Sequence, residues 1–93
     1  MNNKILIVDD TKSWQIFNSK LINHLYGDLF EITTASSAME ALNLIKEDRL
    51  NPYALIITDL QMESDYEPML AGEWLIENIR TLREYFSVNI III

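Results

Sequence analysis

Ile5-Leu6-Ile7-Val8-Asp9-Asp10 and Leu55-Ile56-Ile57-Thr58-Asp59 decide how this chain folds, because each is an apolar run that stops on acid. Read as parallel strands lying side by side, they gather Asp9, Asp10 and Asp59 at their C-terminal ends. Those ends are where open α/β sheets bind ligands. Carboxylates so crowded repel one another, and a hard cation such as Mg²⁺ makes the arrangement tolerable. The cluster is therefore a candidate metal site.

Outward from these runs the hydrophobic period alternates between strand-like and helix-like. Thr11 is placed to cap a helix in which Trp14, Phe17, Leu21 and Leu25 fall at helical spacing, ending near Gly27. These four side chains are expected in the core. Phe30 to Ala35 reads as a second strand, and Ser36 or Ser37 caps a second helix that turns Ala38, Ala41, Leu42 and Ile45 inward. Asn51-Pro52 closes that connection. Tyr53 to Thr58 is apolar on both faces, as a central parallel strand should be. A loop from Leu60 to Ala71 leads to a third helix near Gly72 with Leu75, Ile79, Leu82 and Phe86 on one stripe, and Val88 to Ile93 is a fourth strand. The chain reads βαβαβαβ, and right-handed crossovers put helices on both faces of a parallel sheet.

Composition bounds what such a domain does. The chain has 93 residues, 49% hydrophobic and 23% charged, enough for one small domain that buries roughly 60–65% of its unfolded surface. Seven basic against fourteen acidic residues leave a net charge of −7, which argues against nucleic acid as a partner, since phosphate binding needs clustered Lys and Arg. No run is long enough to span a bilayer, so no membrane role is expected. Cys is absent, and Met1-Asn2-Asn3-Lys4 passes straight into a strand without a signal-peptide core, so a cytoplasmic location is expected. With only Gly27 and Gly72, no glycine-rich phosphate loop can be built.

At this point the residues resemble the receiver domains of two-component response regulators. The resemblance lies in Ile5 to Asp10, in Ser36-Ser37-Ala38-Met39-Glu40-Ala41-Leu42, in Leu55 through Thr58-Asp59-Leu60-Gln61-Met62, and in Gly72-Glu73-Trp74-Leu75 through Ile79-Arg80. It covers essentially the whole chain, residues 1–93, and implies a flavodoxin-like doubly wound parallel sheet in the order 2-1-3-4. It also implies a phosphoacceptor module, not an enzyme in its own right, that takes a phosphoryl group from a phosphohistidine donor onto Asp59. Asp10 and Asp59 would ligate Mg²⁺ directly, Asp9 directly or through water, and the backbone carbonyl of Gln61 would add another oxygen. The implied partner is a sensor histidine kinase or a phosphotransfer protein. A different class of reading keeps the fold without phosphate turnover, as a receiver-like protein-interaction module.

Blander readings stand beside these. Asp10 alone reads as a helix-capping acid and Asp59 alone as a loop-solvating one; together at two strand ends they weigh for one shared site. His24 is explained by the helix C-terminus, and Arg80, Lys46 and Arg49 read as solvated helix faces. Trp74, beside Leu75, divides evenly between core and surface. A phosphohydrolase with an aspartate nucleophile would want an acid two residues on, where Gln61 stands.

Departures from the receiver pattern bear on activity. Receivers continue past the fourth strand to a hydroxyl residue, a further helix, a strand ending in Lys and a final helix, so the domain is expected to be the N-terminal three quarters of a receiver, truncated before the fifth strand. Without that Lys and hydroxyl, weak or absent autophosphorylation is expected. Glu63-Ser64-Asp65-Tyr66-Glu67 lengthens the loop after Met62, read as a solvated insertion. Asn89 stands where many receivers have Pro, without evident chemical consequence. The apolar run Asn89-Ile90-Ile91-Ile92-Ile93 would be a bare edge, and homodimerisation through it is a further expectation.

Overall fold

Strands Lys4–Val8 (β1), Glu31–Ala35 (β2), Leu55–Thr58 (β3) and Asn89–Ile92 (β4) form one parallel sheet in the order β2-β1-β3-β4. Helices Lys12–Tyr26 (α1), Ala38–Glu47 (α2) and Ala71–Arg80 (α3) connect them in turn. The computed structural model describes residues 3–47, 49–59, 70–85 and 88–92. The step from β1 to β2 runs one way across the sheet, and the steps to β3 and β4 run the other. Right-handed crossovers therefore leave α1 alone on one face and set α2 and α3 together on the opposite one.

The two-helix face holds the main core. Ala38, Ala41, Leu42 and Ile45 of α2 and Leu75 and Ile79 of α3 pack on Leu6, Val8 and Ile56. Trp74 lies partly buried against the same cluster. Tyr85, in a short 3-10 helix Arg83–Tyr85, is fully buried there, and its hydroxyl accepts the Tyr53 N–H at 2.7 Å. Arg80 is no solvated bystander: its guanidinium donates to the Tyr85 and Val88 carbonyls, each at 2.9 Å, and so ties α3 to the 3-10 helix and to the residue before β4. Arg49 likewise pairs with Glu84 at 2.8 Å. Phe86, expected on the α3 stripe, lies outside the described residues.

On the other face α1 rests through Ile22 on Ile5, Ile7 and Ile57. Here the expected core residues are displaced. Trp14, Phe17, Leu21 and Leu25 are 54%, 54%, 44% and 61% exposed. The line α1 turns to the sheet is Gln15 and Ile22, and the apolar stripe lies roughly a quarter turn round the helix from it. Gln15 sets that rotation, because its buried amide reaches carbonyls at the ends of β1 and β2. Rolling the stripe onto the sheet would withdraw that amide from both carbonyls.

Local signals divide similarly. Gly27 ends α1 at φ 62, a backbone angle that favours Gly, and gives its N–H to the Asn23 carbonyl. Ser37 is the cap of α2: its Oγ accepts the Glu40 N–H at 3.0 Å, while the Glu40 carboxylate accepts the Ser36 N–H at 3.2 Å. Thr11 stands at the N-cap position of α1, yet its hydroxyl donates to Asp10 instead of capping the helix. Among the described strands β4 is an edge, with Ile91 and Ile92 half exposed, and Ile93 lies outside the described residues. No helix among the described residues is long and apolar enough to cross a membrane.

Candidate functional site

Backbone hydrogen bonding sets the strand ends level. The Asp9 N–H donates to the Ala35 carbonyl at 3.0 Å, and the Asp59 N–H donates to the Val8 carbonyl at 3.1 Å. The strands therefore deliver Asp9 and Asp59 side by side, with Asp10 one residue further along the chain. Asp9, Asp10 and Asp59 each bring a carboxylate oxygen to within 4.8 Å of the others. All three carboxylates predicted from the sequence meet. Gln61, whose carbonyl was the fourth expected ligand, lies outside the described residues, as does the 63–67 insertion.

The three acids differ in setting: Asp9 is buried, Asp59 half-buried and Asp10 exposed. Asp9 is fixed at its carboxylate by the Thr11 N–H, donated to Oδ1 at 2.9 Å. Burial raises the Asp9 carboxyl pKa above its ordinary value; the Thr11 bond opposes this, and the charges of Asp59 and Asp10 add to the rise. A cation among these oxygens would reverse the repulsion. The donor set fits Mg²⁺, which takes hard carboxylate oxygens, keeps several waters and needs the exposed side that Asp10 leaves.

A cleft of about 100 Å³ opens beside the acids, lined by Asp9, Trp14, Asn18 and Asp59. Trp14 and Asn18 were not anticipated here. Their signal was present as spacing, since they stand four and eight residues after Asp10 on the helix that leaves the strand end, and so share the face above the acids. Gln15 was also missed, because a polar residue in an amphipathic helix reads as solvent-facing until its acceptors are known.

No protein-family model matches the chain, and no curated protein matches its sequence. Solved structures do. The fold is similar to Vibrio cholerae chemotaxis protein CheY4, with TM-score 0.76 and 22% identity over 99% of this chain and 68% of that one. A response regulator receiver domain protein from Clostridium thermocellum gives TM-score 0.71 and 30% identity over 96% of this chain and 62% of that one. The isolated REC domain of RcsB from Salmonella enterica serovar Typhimurium, in the presence of the phosphomimetic BeF3−, gives TM-score 0.71 and 20% identity, covering 99% of this chain and 61% of that one. The chain has the CheY-like flavodoxin fold, and the solved structures it is similar to include response regulator receiver domains. It spans between 61% and 68% of the length of these three structures.

Proposed function

We propose that this chain is a phosphoacceptor module in which Asp59 takes a phosphoryl group from a phosphohistidine donor with Mg²⁺ bound among the acids. The observation that supports this most strongly is the convergence of Asp9, Asp10 and Asp59 at the ends of β1 and β3 in a receiver fold. Asp10 and Asp59 would hold the cation, with Asp9 beside them and the Gln61 carbonyl as a further oxygen. A cation held there would supply positive charge to offset the carboxylates and the incoming phosphoryl group. An Asp59 carboxylate oxygen attacks phosphorus, the new O–P bond forms as the P–N bond to the donor imidazole breaks, and the imidazole leaves with its electron pair and takes a proton from solvent. Such transfers need positioning and charge neutralisation more than covalent assistance from the protein. The partners that follow are a histidine kinase or a phosphotransfer protein.

Phosphoramidate, a small P–N donor, tests the reading. With Mg²⁺ the intact mass should gain one phosphoryl group, slowly, and Asp59→Asn should abolish the gain. Labelling that persists in Asp59→Asn would refute the assignment. Beryllofluoride with Mg²⁺ should also shift Trp14 emission, because Trp14 lines the cleft next to Asp59.

A second reading, an interaction module working by contact alone, draws support from the exposed apolar stripe of α1. It predicts partner binding that Asp59→Asn leaves unchanged. The half-exposed Ile91 and Ile92 on the β4 edge support pairing with a second copy. Sedimentation velocity should show a dimer that Ile92→Pro dissolves.

A further inference from the structure

Gln15 lies on the sheet-facing line of α1, where its neighbours in the core are apolar, and is only 2% exposed. Its side-chain nitrogen donates to the Asp9 carbonyl at 2.6 Å, to the Ala35 carbonyl at 3.3 Å and to Ser36 Oγ at 3.1 Å. Two of these partners are backbone carbonyls, which only accept, so position 15 must supply a donor. The shortest of the bonds goes to Asp9, the buried member of the acidic cluster. Asp9 is therefore held at its N–H by Ala35, at its carboxylate by Thr11 and at its carbonyl by Gln15.

We propose that Gln15 is a positioning residue that holds Asp9 at the angle a divalent cation needs, acting through the Asp9 carbonyl without touching the cation. The inference rests on the acidic cluster being a cation site. A carboxylate is held in an unfavourable cluster by bonds elsewhere on the same residue, and releasing one of them lets the chain rotate Asp9 away from Asp10 and Asp59. Partners that orient metal ligands typically contribute ten- to a hundred-fold in affinity, and one that acts on a backbone carbonyl belongs at the lower end. Gln15→Met keeps the length and removes the donor. Gln15→Glu keeps the shape and sets an acceptor against two carbonyls.

The test is an Mg²⁺ titration followed in ¹H–¹⁵N spectra, with the Asp10 and Asp59 amides reporting the dissociation constant. In the wild-type chain the Gln15 side-chain amide signal should move with the same midpoint as those amides. In Gln15→Met the constant should rise about tenfold, and in Gln15→Glu by at least as much. A merely structural role would lower the urea midpoint of the variants and leave the Mg²⁺ constant of the folded protein unchanged, which would overturn the proposal while sparing the cation site. A wild-type chain that takes up no Mg²⁺ overturns both. Should the variants not fold, a wild-type Gln15 amide signal that stays still while Asp10 and Asp59 move is sufficient to overturn the positioning role.

Discussion

The two faces of the sheet are built from equally apolar strands and end up differently covered. On the α2 and α3 face, Leu6, Ile45, Ile56, Leu75, Ile79 and Tyr85 are fully buried. On the α1 face, Ile5 and Ile7 are buried, yet the helix above them shows Trp14, Phe17, Leu21 and Leu25 to solvent, and Ile91, which shares that face with its register partner Ile57, is half exposed. Strand order causes the difference: one crossover steps toward β2 and two step away, so the faces receive one helix and two. A parallel sheet ordinarily buries both faces, so apolar content alone does not say which surface is closed.

The largest expected effect breaks the closed face. Leu75→Ala should cost about 2–5 kcal/mol in urea denaturation, most of what a domain this small has to lose. Its counterpart on the open face, Leu25→Ala, should stay within about 0.5 kcal/mol, because a side chain already in water forfeits little on truncation. If Leu25→Ala cost as much as Leu75→Ala, the open face would be covered in solution and the contrast would fail. Phe17→Ser should in addition lower binding of an apolar dye, with no change in far-ultraviolet circular dichroism.

Smaller effects arise where charges sit. Without a cation, burial raises the Asp9 pKa above 3.8, so the folded chain binds that proton more readily than the unfolded one. Stability should then fall as pH rises from 3.8 through the raised value, a slope that Asp9→Asn removes in urea titrations run with chelator. The smallest effect belongs to the Arg49 and Glu84 pair, which links the segment after α2 to the 3-10 helix after α3. Hydrogen bonding to Arg49 lowers the Glu84 pKa below 4.5, so whatever the pair contributes is present above that value and fades as pH falls through the lowered one. Arg49→Ala should leave the urea midpoint almost unmoved at high salt, as exposed pairs do.

Much of this was legible beforehand in particular residues. Isoleucine-rich runs ending at Asp9 and Asp59 marked both the strands and the meeting of the acids, since period-two and continuous apolar patterns are local properties of a sheet. Ser36 and Ser37 likewise offered a cap for the start of α2, and Ser37 is the one that serves. Tyr85 was not legible, because its burial depends on the Tyr53 N–H, thirty-two residues away along the chain. The rotation of α1 was not legible either: its apolar stripe is a sound core pattern, and a single Gln overrides it through acceptors on β1 and β2.

The amino-acid order by itself determined the alternation of elements, the placing of acids at strand ends and the direction in which the crossovers turn. These follow from periodicity, capping and chirality, all of which act over a few residues. Only the tertiary structure decided which side of α1 meets the sheet and that Gln15, on that side, grips Asp9. Those outcomes rest on hydrogen bonds between strand ends and a helix, whose partners are defined only once the sheet has assembled.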